Sequence, residues 1–236
     1  MKRTSVTLFV LFALLGVFNV SAVTLEGKHY EGVGKAKGQA IDFWTTVNFD
    51  DEDAEISVAN AVNLAGGYTA TKAGNNLTVS VKVPGSAAKT LLKSNDNGAT
   101  LEGDVTVNGQ PVKLWLLETP MRHKEATGST EAIASAVSSS DGYTSFIRVS
   151  MSGGEMCITS DFAFNPDGTY TLTCDNAALQ NIFGNMKGTY SIDGSKVTLT
   201  DTTGKTVTGT IYDDATYIKI PFGSVSGMTL TMVLIR

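Results

Sequence analysis

The chain has 236 residues, of which 18 are Lys or Arg and 23 are Asp or Glu, for a net charge of −5. So acidic a balance lacks the clustered cations that phosphate backbones and anionic membranes need, which sets nucleic acid aside as a partner. Two histidines far apart in sequence and two cysteines, with no His-x-x-x-His or Cys-x-x-Cys pair, argue against a zinc site.

Residues 1–22 have the form of a signal peptide. Lys2 and Arg3 supply the basic start, Val6 to Val20 is an uncharged apolar run, and Val20-Ser21-Ala22 places small residues where a signal peptidase cuts. The run falls short of the ~20 residues of a spanning helix, and no basic stop-transfer follows. The expectation is cleavage after Ala22 and export to periplasm, cell surface or medium, with no membrane span in the mature chain. Losing one positive charge each at Lys2 and Arg3 takes the net charge from −5 to −7.

From residue 25 onward the sequence reads as one pattern stated twice, over 25–118 and 142–236. Val47 to Val58, a strand, an acidic turn and a strand, matches the shape of Phe162 to Leu172. Gly67 to Val79 parallels Gly188 to Leu199, Gly103 to Val107 parallels Gly209 to Tyr212, and Leu114 to Glu118 parallels Met232 to Arg236. Each unit is longer than a solenoid repeat and large enough for a small domain.

Within the first unit, alternation places Ile41, Phe43, Val47 and Phe49 on one face and Asp42, Thr46 and Asn48 on the other. Trp44 falls on the polar face, and Trp115 does likewise opposite Val112, Leu114 and Leu116. Strand-length runs punctuated by Gly, Asn and Asp recur about every ten residues, giving seven or eight strands per unit. Helix is expected only over Ala177 to Phe183, with a less marked counterpart over Asn60 to Leu64.

Residues 119–141 change composition and read as a linker, in which Ser129 to Val137 has the pattern of two helical turns. In the second unit, Asn165-Pro166-Asp167-Gly168 is a hairpin turn. A type I turn with a Gly bulge pairs Asn165 with Thr169, Phe164 with Tyr170 and Phe162 with Leu172. That register sets Cys174 opposite Ser160 on the apolar face and Cys157 on the other, so two unbridged thiols are favoured over a disulfide.

Antiparallel units of this size form sandwiches with open edges or barrels with none. Gly27-Lys-His-Tyr-Glu-Gly32, Asp141-Gly-Tyr-Thr144, Gly188 to Thr200 and Gly204 to Thr210 resemble the lipocalin-like (calycin-like) β-barrel domains of exported bacterial envelope proteins. The resemblance implies an all-β chain of two tandem up-and-down barrels of about eight short strands each, in a superfamily whose better-known members hold apolar ligands. Two β-sandwich domains are the alternative.

Chemistry is sparsely signalled. Asp50-Asp-Glu-Asp53 with Glu55 lacks the Gly-punctuated form of a calcium loop and reads as a solvated turn. Gly223-Ser-Val-Ser-Gly227 has the wrong spacing for a nucleophile elbow, and no Gly-rich phosphate loop leads into a helix. No cofactor, metal or catalytic set is expected, and an enzyme is disfavoured unless a cleft joins His29 to two convergent carboxylates. Trp44 and Trp115 are candidates for an interface or a sugar-stacking platform, or else they pack against the linker or the other unit. Tyr30 is the third aromatic candidate, although it sorts with Phe43, Phe146, Phe162 and Tyr190 as core. The expected function is that of an exported binding protein holding a small apolar or aromatic ligand in a barrel, or alternatively an envelope module that engages a protein or glycan through Trp44 and Trp115.

Overall fold

A computed structural model describes residues 20–39, 41–85, 89–139, 142–174, 187–225 and 227–236. A short strand β1 (Ser21–Val23) precedes β2 (His29–Ala36), β3 (Asp42–Phe49), β4 (Asp53–Val58), β5 (Val62–Ala73), β6 (Asn76–Lys82), β7 (Thr90–Ser94), β8 (Thr100–Val107) and β9 (Gln110–Thr119). These pair antiparallel in order, and β2 pairs with β9 from His29↔Thr119 to Ala36↔Val112, closing an eight-stranded barrel. After helix α1 (Thr130–Val137) come β10 (Tyr143–Met151), β11 (Gly154–Phe164), β12 (Thr169–Thr173), β13 (Lys187–Asp193), β14 (Lys196–Asp201), β15 (Thr206–Tyr212), β16 (Tyr217–Val225) and β17 (Met228–Ile235). They too pair in sequence, and β10 pairs back onto β17 from Thr144↔Ile235 to Ser150↔Thr229. Among the described strands, closure pairs both edges of β2 with β3 and β9 and both edges of β10 with β11 and β17, which removes the open edges that favour edge-to-edge association.

Closure requires close backbone approach. A Cβ on Gly32 of β2 would lie 2.2 Å from the Trp115 carbonyl oxygen on β9, so only glycine fits that rung. Alternating residues then fill each interior. Val47, Phe49, Ile56, Val79, Leu92, Leu101, Leu114 and Leu116 meet inside the first ring, each at most 1% exposed. Ile147, Val197, Leu199, Ile211, Ile218, Ile220, Met232 and Leu234 do the same in the second. An eight-stranded barrel is just wide enough for its own side chains to fill.

The repeated blocks of sequence fall mostly on equivalent strands. Val47–Val58 and Phe162–Leu172 lie on the second and third strands of each ladder, Gly67–Val79 and Gly188–Leu199 reach the fourth and fifth, and Leu114–Glu118 and Met232–Arg236 end the eighth. The Gly103 block is on the seventh strand and the Gly209 block on the sixth, so that correspondence slips by one. The Asn165–Gly168 turn has the expected register, with Asn165 N–H donating to Thr169 O at 2.8 Å and Phe162↔Leu172 as a rung. Asn60–Leu64 is not helical. Ala59 and Asn60 both have positive φ (58° and 53°), and Ala61 N–H donates to Val58 O at 3.1 Å, so the chain reverses tightly below the Val58↔Val62 rung of β4 and β5. The helix expected over Ala177–Phe183 lies outside the described residues.

The linker helix forms because three things act on it together. Ser129 caps its start, accepting a hydrogen bond from Ala132 N–H at 3.2 Å. Ile133 and Val137 bury one face in the second barrel's core. The Arg236 guanidinium donates to the last carbonyls, at 2.8 Å from Ala136 O and 3.3 Å from Val137 O. Among the described residues no helix is long and apolar enough to cross a membrane. The expected cleavage point after Ala22 falls within β1, which pairs Ser21↔Lys72, Ala22↔Thr71 and Val23↔Ala70 along the part of β5 that extends past β4.

Candidate functional site

The outer face of the first barrel is where sequence alternation placed the tryptophans, and the second barrel covers it. Trp44, Val33 and Trp115 are neighbours across β3, β2 and β9, since Val33 is the rung partner of both indoles. Phe146 of β10 inserts between them, with ring centroids 5.5 Å from Trp44 and 6.0 Å from Trp115. Cys157, Val233 and Ile235 complete this apolar seam. Backbone pairing reinforces it, because β3 and β11 share the rungs Phe43↔Met156 and Asp42↔Cys157. Trp44 is buried and Trp115 half-buried, so these two indoles serve the contact between barrels and present no open platform. Phe146 belongs to this seam and not to the second barrel's interior. Tyr30 lies inside the first barrel, its hydroxyl donating to Gly98 O at 2.9 Å and its ring edge-on to Phe49. Cys157 in the seam and Cys174 in the second core belong to different clusters and form no disulfide.

Two residues along β2 from Val33 the seam becomes charged. Glu31 is 9% exposed and takes His29 as its neighbour, Nε2 to Oε1 at 3.3 Å. Burial raises the Glu31 pKa, but the His29 hydrogen bond and the charges of His29, Arg148 and His123 outweigh it and hold the carboxyl below its ordinary range. Arg148 bonds Glu155 at 2.6 Å and lies 4.5 Å over the Trp44 ring. Tyr217, stacked on His123 at 3.6 Å, has its phenol pushed up by burial and by the Glu31 charge. His123 donates from Nδ1 to Asp213 at 2.5 Å. Asp213, Asp214 and Ala215 all have positive φ, an uncommon left-handed run for residues with a Cβ.

His29 has an oxygen at each ring nitrogen, Asn48 Oδ1 at 2.5 Å from Nδ1 and Glu31 Oε1 at Nε2. Burial pulls its pKa down, yet the bonds to Glu31 and Asn48 win and the net shift is upward. With an oxygen beside each ring nitrogen, the imidazole is held in place from both sides.

The same histidine forms one wall of a cleft of about 620 Å³ at the junction of the barrels, where the ends of β9 and β17 meet the loops before β2 and β8. Lys28 and Glu118 form an ion pair on its rim. Thr119 and Arg236 line it, and each carries a buried polar atom with no partner, Thr119 Oγ1 and Arg236 Nε. Two further clefts, of about 650 Å³ beside β1 and about 410 Å³ over β6 and β7, contain no such atom among the described residues. Buried polar groups are nearly always satisfied, so two orphans in one cleft mark it out.

No protein-family model, curated protein or solved structure matches this chain.

The cleft does join His29 to two carboxylates, Glu26 and Glu118, but one of these is paired to Lys28 and the histidine is committed on both nitrogens. Among the described residues no three His, Cys, Asp or Glu side chains gather closely enough to hold a metal ion. Asp50–Asp53 is an exposed turn between β3 and β4. Sequence reading missed Thr119, Arg236 and Lys28. One signal was present: Glu118 and Arg236 end the matched last strands, and the two strand ends converge on this cleft.

Proposed function

We propose that this is an exported, non-enzymatic binding protein of lipocalin-like build whose ligand occupies the junction cleft and not a barrel interior. The observation that carries the proposal is the contrast between two barrel interiors lined by packed apolar side chains and a cleft with unsatisfied polar atoms. A cleft of about 620 Å³ lies within the roughly 300–1,000 Å³ usual for small-molecule sites. Eight-stranded up-and-down closure supports the lipocalin-like resemblance, and the basic, apolar and small-residue segments of 1–22 support export.

The test is amide shift mapping on ¹⁵N-labelled protein with a fragment set of amino acids, sugars and fatty acids. Saturable shifts at Lys28, His29, Thr100 and Thr119 are expected. Shifts at Val79, Leu92 and Leu101 with fatty acids would overturn the proposal in favour of a barrel-held apolar ligand. N-terminal sequencing of the exported chain should begin at Val23, and any other start removes the support taken from the cleavage site.

A further inference from the structure

The orphaned atoms allow the ligand's chemistry to be narrowed. Arg236 is fixed by its own hydrogen bonds, because both terminal guanidinium nitrogens donate to the end of α1 and the ring of Tyr143 lies 4.2 Å away. Nε is the one guanidinium nitrogen with no partner, and its N–H can donate but not accept. Thr119 is 5% exposed, and its hydroxyl has a proton to give and no acceptor in the fold. What both lack is therefore an acceptor. Lys28 and Arg236 match the carboxylates Glu26 and Glu118 in number along the lining, so on a chain of net charge −5 the cleft is locally balanced.

We infer that the junction cleft takes its ligand through a small oxyanion, a carboxylate or a phosphate, received by the Thr119 hydroxyl and Arg236 Nε–H with Lys28 and His29 alongside. A charged acceptor makes hydrogen bonds roughly twice as strong as a neutral one, so a ligand carrying such a group gains more here than an amide or hydroxyl would. An unsatisfied buried donor carries a desolvation cost, which an acceptor in the occupied cleft removes. The inference rests on the cleft being the binding site and specifies what it binds.

The experiment titrates full-chain ¹⁵N-labelled protein with sodium acetate, inorganic phosphate and neutral acetamide at ionic strength held constant with chloride. Saturable shifts at Lys28, His29, Thr100 and Thr119 with acetate or phosphate, and none with acetamide, are expected; which anion saturates first separates the two sources. Thr119→Val should weaken that binding about tenfold, equivalent to ~1.4 kcal/mol, while leaving the urea midpoint unchanged or higher, because a methyl replaces an orphaned hydroxyl. Lys28→Gln, on the rim, should weaken it by a smaller factor. Equal response to acetate and acetamide overturns the oxyanion and leaves the cleft standing. Silence at the cleft with all three probes overturns it as well, and then the fragment screen decides whether the cleft itself survives. A Thr119→Val protein that binds acetate normally but unfolds at lower urea shows that the hydroxyl is structural, and that result also overturns the inference.

Discussion

Replacing Trp44 by Ala tests whether the seam holds the barrels together. The side chain is 2% exposed, so its removal leaves a cavity with no route to solvent, and Trp→Ala in such surroundings costs about 3–5 kcal/mol. Two further contacts push the value toward the upper end. The edge-to-face pair with Phe146, at 5.5 Å and 73°, is worth about 0.5–1.5 kcal/mol beyond buried area. The Arg148 guanidinium 4.5 Å above the ring loses its aromatic partner, a loss of about 1–2 kcal/mol at a desolvated position. The working figure is about 4–5 kcal/mol, which for a chain of this size lowers Tm by roughly 8–20 °C. Urea and thermal unfolding followed by far-ultraviolet circular dichroism measure it, with Leu91→Ala, at a 47% exposed site, as a control expected within about 0.5 kcal/mol of the parent. A loss below about 1 kcal/mol for Trp44→Ala would refute the reasoning, since no packed interior tolerates that truncation so cheaply.

Three other outcomes follow from the geometry. His29 is raised above its ordinary 6.5, so its contribution is complete below about that pH and is lost as pH climbs through the higher folded value; urea midpoints should fall from pH 6 to 9 in the parent and stay flat in His29→Gln, and parallel curves would refute the assignment. Glu31 acts with the opposite sign, its share being lost as pH drops below the ordinary 4.5, which places maximal seam stability between the two. Asp214 is exposed with φ 54° and ψ 38°, so Asp214→Gly should stabilise by about 0.5–1 kcal/mol, and a lower urea midpoint would show that its side chain carries a contact of its own. Cys157 and Cys174 are buried, and burial pushes the Cys157 thiol up; both should react with a disulfide reagent only at the rate of unfolding, whereas an immediate stoichiometric reaction would contradict the packing.

Much of the fold could be read because period-2 alternation is local. The parity that placed Phe49 inside and Trp44 outside is a property of neighbouring residues, and the Asn-Pro-Asp-Gly turn fixes the Phe162↔Leu172 register within a few residues of itself. The ring containing Tyr30 and the outward direction of both indoles were legible for that reason. What covers those indoles was not, since the contact of Phe146 with Trp44 and Trp115 depends on how two closed ladders dock. The Asn60 region misled because Ala and Leu suit a helix, whereas Ala59 and Asn60 take left-handed φ to reverse the chain. The cleft was hidden most completely. Lys28, Thr119 and Arg236 are unremarkable by type, and only three-dimensional convergence leaves a threonine hydroxyl and an arginine Nε without acceptors.

Ring closure also sets an order of events for the growing chain. His29 must wait for Thr119, and Ser145 for Leu234, before either ladder is sealed. Partners about 90 residues apart give the high contact order of slow-folding β proteins, on the scale of milliseconds to seconds. Until β9 emerges, the edges of β2 and β8 are open and competent for pairing with other chains. The final strand carries three duties at once: β17 seals the second ring, Val233 and Ile235 fill the seam, and Arg236 beside it ties down the linker helix. A chain halted short of β17 would present the quality-control machinery with an unsealed second ladder, a seam lacking Val233 and Ile235 and a loose helix together. Late truncations should therefore be degraded as thoroughly as core deletions, with no graded loss along the last strand.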